Sequence, residues 1–75
     1  TWKDYGDLSE VTPPNDTIAI LVQVRNTSGV VYIYVTETDD YKDRVGQDYS
    51  GQTVIVPWKQ GLKFVCYGTC RIGLV

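Results

Sequence analysis

The chain of 75 residues has no histidine, no methionine, one phenylalanine, three prolines and two cysteines. Without histidine it lacks the usual general base near neutral pH and the commonest metal ligand. Ser9, Ser28 and Ser50 have no partner base in the sequence around them. Glu10 and Glu37 could form a carboxylate pair of the glycosidase type, but so small a domain offers little cleft to hold a sugar chain. Phosphate loops, dinucleotide fingerprints and zinc spacings are missing. The chain therefore reads as non-enzymatic, with no catalytic, metal or cofactor-binding residues. Its seven basic and nine acidic residues give a net charge of -2, and no Lys/Arg cluster supplies the footprint of a nucleic-acid binder. The aliphatic run 18–22 is far short of the ~20 apolar residues of a membrane-spanning helix. Neither nucleic acid nor membrane is expected as a partner. A chain that starts at Thr1 and lacks Met reads as one whose initiator was removed or as a processed fragment, and no signal peptide is visible.

What is present is β-sheet patterning. Residues 17–24 and 30–37 are two β-branched, aromatic-rich runs around Arg25-Asn26-Thr27-Ser28-Gly29. In the first, Ile18, Ile20, Val22 and Val24 share a face; in the second, Val31, Ile33 and Val35 do. The polar segment between them has turn chemistry, so the pair reads as a β-hairpin. Asn26-Thr27-Ser28 and Asn15-Asp16-Thr17 also match the glycosylation acceptor pattern and are taken as turn chemistry. The opposite faces carry Ala19, Leu21, Tyr32 and Tyr34. A strand that is apolar on both faces is covered on both.

The remaining segments are strands or loops. Residues 1–16 read as an extended N-terminal arm bounded by Pro13-Pro14, and 17–75 as a single β-domain. Residues 38–52 show neither hydrophobic period. Their Asp39, Asp40, Asp43 and Asp48 do not have calcium-loop spacing, and Lys42 and Arg44 offset them, so the stretch reads as a solvated acidic loop. A third strand is expected at 53–57, a fourth at 63–67 and a fifth at 70–75, with Tyr67-Gly68-Thr69 as a three-residue hairpin loop. Cys66 and Cys70 then face each other, either as two buried thiols or as a cystine. The fold expected is all-β: a small antiparallel β-sandwich or barrel of five to six strands.

Binding is the function class left. One reading is a structural protein that packs on itself and on other components of an assembly through Trp2, Tyr5, Leu21, Tyr32 and Tyr34, large and amphipathic side chains of the kind that anchor interfaces. On this reading, deleting 1–12 weakens assembly and leaves much of the fold. The other is a carbohydrate-binding module that stacks sugars on Trp2, Trp58 and surface Tyr residues; Trp58 could equally be a turn residue that covers one end of the sandwich.

The order Val24-Arg-Asn-Thr-Ser-Gly29, then Val31-Tyr-Ile-Tyr-Val35, Gly51-Gln-Thr-Val-Ile-Val-Pro57 and a closing Cys70-Arg-Ile-Gly-Leu-Val75 resembles small β-domains of tailed bacteriophage virions, over about residues 17–75. Those proteins decorate capsids or form fibre and spike parts. The resemblance implies a virion structural protein at the capsid surface, in many copies and without enzymatic activity. The two cysteines lie outside the shared rhythm. Without the resemblance, a cystine points to an oxidising, extracellular setting.

Overall fold

The computed structural model describes residues 2–24 and 29–75. Eight strands are present among them: β1 (Trp2–Tyr5), β2 (Glu10–Val11), β3 (Ala19–Gln23), β4 (Val30–Val35), β5 (Tyr41–Val45), β6 (Thr53–Pro57), β7 (Leu62–Tyr67) and β8 (Cys70–Leu74). A single 3-10 turn, Gln47–Tyr49, separates β5 from β6. The strands form two antiparallel four-stranded sheets, ordered β1-β8-β3-β6 and β2-β7-β4-β5.

This order has a simple origin. β1 pairs with β8, β2 with β7, β3 with β6 and β4 with β5, as in one long two-stranded ribbon whose tip is the β4–β5 hairpin. The ribbon folds over on itself, which adds the β3·β8 and β4·β7 pairings and closes two sheets around one core. That is jelly-roll topology, an eight-stranded sandwich of two Greek keys.

Two expected hairpins are corrected by it. β3 pairs with β6 and β8, and β4 with β5 and β7, so the runs around residues 25–29 lie in different sheets and face each other across the core. Alternation could not separate the two arrangements, because a hairpin and an arch both turn the same residues inward. The turn itself, apart from Gly29, lies outside the described residues. In the same way Tyr67-Gly68-Thr69 is an arch from β7 in one sheet to β8 in the other. The strand count also rises from five or six to eight. The additional strands are edge strands with little or no buried face: β1 and β2 within the expected arm, and β5 within the expected acidic loop, where only Val45 is buried.

The core draws on both sheets. Ile20, Val22, Cys70 and Ile72 meet Val31, Ile33, Val45, Leu62, Phe64 and Cys66, all buried. Phe64 is fully buried and takes edge-on contacts from Tyr5 at 5.4 Å and from Trp58 at 6.1 Å. Trp58 follows β6 and is anchored by its N–H, which donates to the Ile18 carbonyl at 2.8 Å. Ile18, expected on the inward face, stands just before β3 and is 70% exposed.

At one end of the sandwich the chain crosses from β7 to β8. Cys66 and Cys70 are joined by a disulfide across the β7–β8 arch, with Cα atoms 6.0 Å apart, which ties the two sheets together at that corner. Gly29, just before β4, lies against the same corner. A Cβ there would fall 1.6 Å from the Tyr67 carbonyl oxygen, so only glycine fits. Gly68 has φ +86 and presses on Gly29 in turn. The Asp7 carboxylate accepts the Gly68 N–H at 2.8 Å, and Cys66 exchanges main-chain hydrogen bonds with Leu8 and Ser9.

Two predictions follow from this packing. Reducing the disulfide removes a short-loop crosslink worth about 2 kcal/mol on the chain-entropy model. Urea denaturation with and without a phosphine reductant should show that loss, with little change in the circular dichroism of the folded baseline. Deleting residues 1–12 strips an edge strand from each sheet and uncovers Phe64. The expected result is a chain without cooperative unfolding, contrary to the behaviour of a dispensable arm, and a thermal melt by circular dichroism reads it directly.

Candidate interaction faces

Because β3 and β4 belong to opposite sheets, their outward residues point to opposite sides of the molecule. The single second face expected from the sequence is therefore two faces. Leu21 and Trp2 are on one, Tyr32 and Tyr34 on the other. Tyr5 is on neither: it is half-buried against Phe64, with the Lys3 ammonium 5.2 Å from its ring centre.

On the β1-β8-β3-β6 sheet, register aligns one apolar row across all four strands. Trp2 stands opposite Gly73, Gly73 opposite Leu21, and Leu21 opposite Ile55. The Trp2 indole lies over Gly73, where a Cβ would meet the ring at 3.5 Å, so the missing side chain makes its seat. The Arg71 guanidinium sits 5.9 Å from the centre of that ring and pairs with Asp4 at 3.3 Å. Ala19 opposite Pro57 adds a further apolar pair. Ile55 is 66% exposed. The row on the other side of Leu21 is polar, with Asp4, Arg71, Gln23 and Thr53 in register.

On the β2-β7-β4-β5 sheet four tyrosines form one plate around Tyr32. Its ring is 6.4 Å from Tyr34 and nearly parallel to it, 6.2 Å from Tyr41, and 5.3 Å from Tyr67 in a perpendicular contact. Tyr34 and Tyr41 also meet edge-on at 6.3 Å. A register shift in the β4·β5 pairing between Ile33 and Tyr34 sets Tyr34 opposite Tyr41 and draws Tyr41 into the group. Desolvation at this plate, followed by the adjoining Tyr67 phenol, raises the Tyr34 pKa above its ordinary value.

Charged groups rim the plate. Lys63, opposite Tyr34 on β7, donates to Glu10 on β2 at 2.8 Å and to Asp39 after β4. These hydrogen bonds, Asp39 first and Glu10 second, push the Lys63 pKa up to about 12. Arg44 pairs with Asp48 at 3.1 Å, and that contact raises its pKa too. Among the described residues no group of three or more carboxylates, thiols or imidazoles is placed to hold a metal ion, and no helix is long and apolar enough to cross a membrane.

Trp58, a candidate sugar platform in the sequence, is 7% exposed and belongs to the core. Tyr41, which with Tyr49 could make residues 38–52 a contact loop, joins the plate. Two contributors were not picked out as contact residues. Ile55 was legible, since Val54 and Val56 turned inward leave it outward, and Tyr67 was hidden in a supposed hairpin end.

Strand order and surface define a disulfide-linked jelly-roll domain with an apolar row on one sheet and an aromatic plate on the other. No protein-family model, no curated protein and no solved structure matches the chain.

The raised pKa values of Tyr34 and Lys63 give the same sign. The folded state holds these protons more tightly than the unfolded chain, so the stability linked to Tyr34 and Lys63 is complete below their unfolded values of 10.0 and 10.5. It is lost as pH rises through the folded values. Denaturation midpoints should fall from about pH 10 upward, and Tyr34→Phe should remove the phenol's share. Spectrophotometric titration at 295 nm should show a late-ionising phenol that the Tyr34→Phe variant lacks.

Proposed function

We propose that this protein is a non-enzymatic structural domain, a virion component that packs on the capsid surface through its two outer sheet faces. One observation carries the reading: the apolar row and the tyrosine plate lie on opposite sides of a sandwich only two sheets thick. A domain with one sticky face makes one contact; a domain with two can sit between two neighbours, as a component of a repeating array must. Tyr and Trp provide large contact area with few rotatable bonds, which suits both faces to protein partners. The jelly roll supports the reading at the level of fold alone, since viral capsid domains use it, and so do lectins. The phage-like rhythm of the sequence points the same way.

A second reading has an observation of its own. Tyr32 and Tyr34 are near-parallel, at 24°, on an open sheet face, a possible seat for sugar rings. Against it, neighbouring tyrosines cover much of each ring, and Trp58 is unavailable.

The two readings separate by paired substitutions. Trp2→Ala with Leu21→Ala addresses one face, and Tyr32→Ala with Tyr34→Ala the other. Binding to purified capsid proteins, read by sedimentation and surface plasmon resonance, should weaken for each pair by about 1–3 kcal/mol per anchor, with the melting transition still cooperative. Retention on a polysaccharide array that is lost only with the Tyr pair, alongside unchanged protein binding by all variants, would replace this reading with the carbohydrate one.

A further inference from the structure

We propose that β6 is a docking edge for a second copy of this chain, joined antiparallel about a two-fold axis at Ile55. The proposal deepens the assembly reading above and rests on it.

The four sheet edges are not alike. β5 carries Lys42, Asp43 and Arg44, β1 carries Lys3 and Asp4, and β2 has two residues. Charge and shortness are the usual devices that keep edges from pairing. β6 reads Thr-Val-Ile-Val-Pro, with no charge and no bulge in its pairing to β3.

Its main chain has a defined outward set. Trp58 donates to Ile18, and Val24 to Gln52, which directs the even-numbered residues of this strand toward β3. The ladder alternates, so Thr53, Ile55 and Pro57 turn their main-chain groups away from β3, to the open side. A second β6 laid antiparallel with Ile55 opposite its symmetry mate places Thr53 opposite the mate's Pro57. The two Ile55 residues then exchange a pair of hydrogen bonds, and each Thr53 N–H donates to the Pro57 carbonyl across the seam. Proline, which cannot donate, falls where its acceptor alone is used. Val54 comes opposite Val56 of the mate in the close, non-hydrogen-bonded positions that favour β-branched pairs.

Side chains agree with the main chain. β6 itself has no charge to repel its copy. Ile55, the most exposed member of the apolar row, meets its own mate, and the row runs on as Trp2, Gly73, Leu21, Ile55 and then the same residues in reverse. Between the β5 and β6 edges an open cleft of about 390 Å³ joins Ile33, Val56, Pro57, Trp58 and Leu62 to Lys42, Asp43 and Lys59, so the charges nearest the seam lie beside β6 and not within it.

The test uses the full chain. Sedimentation velocity over a concentration series should show a dimer, and amide hydrogen exchange by NMR should show Thr53 and Ile55 protected at high concentration and unprotected on dilution. Ile55→Lys should weaken the dimer at least about tenfold, within the range of an interface anchor, while Ile55→Val retains it. A chain that stays monomeric to about 1 mM, or a dimer whose Thr53 and Ile55 amides exchange freely, would overturn the proposal. A dimer with exposed edge amides that is lost on changing Trp2 and Leu21 rejects edge pairing and keeps the assembly reading. Protected edge amides in a dimer, with capsid-protein binding unaffected by either face, keep the pairing and reject that reading.

Discussion

At one corner of the molecule the chain must pass from β7 in one sheet to β8 in the other within three residues. Most of the architecture depends on that crossing. It is held covalently by Cys66–Cys70, by the seat that Gly29 provides for the Tyr67 carbonyl, and by the Asp7 carboxylate on the Gly68 N–H. Had the same segment closed a hairpin, β7 and β8 would be neighbours in one sheet. The β3·β8 and β4·β7 pairings would have no place, and the ribbon could not fold over on itself. A short arch brings both sheets to one point, and the long hairpin of strands then has one way to wrap.

The wrapped ribbon explains why so small a chain can bury a core. A 75-residue chain buries only about 60% of its unfolded surface. Here nearly all of the inward-facing side chains come from β3, β4, β7 and β8, the central strands of the two sheets. The edges are left to short or polar strands that contribute little burial: β1, β2 and β5. Phe64 at the centre unites the layers, since Tyr5 reaches it from β1 and Trp58 from the crossing after β6. β6 is the exception among the edges, half core strand and half open rim, with Val54 and Val56 inward and Ile55 outward.

Crossing also decides the surface. Each passage from sheet to sheet sends the outward residues of successive strands to opposite sides. Leu21 and Tyr32, eleven positions apart in one apolar stretch, end on different faces. The same passages gather residues far apart in the chain: Trp2 with Ile55 through Gly73 and Leu21, and Tyr67 with Tyr32, Tyr34 and Tyr41. Such juxtapositions give the domain two contact surfaces in place of one.

Period-two patterning by itself determined the all-β class, the central strands and their inward residues, from Ile20 and Val22 to Val31, Ile33, Phe64 and Ile72. Cys66 and Cys70 were expected within reach of each other across a hairpin, and they are, although the loop between them is an arch between sheets. Inward faces are local consequences of alternation, which assigns a side to every residue once a strand exists. Which strands pair is a different question, and alternation does not address it, because an arch and a hairpin bury the same side chains. Tertiary structure settled that through the steric demand at Gly29 and the Cys66–Cys70 corner. It alone turned the arm and the acidic loop into edge strands, since β1, β2 and β5 are held by main-chain hydrogen bonds to their neighbours and carry almost no hydrophobic pattern of their own. It decided between the two readings of Trp58, which covers the core against the Phe64 ring and is no exposed platform.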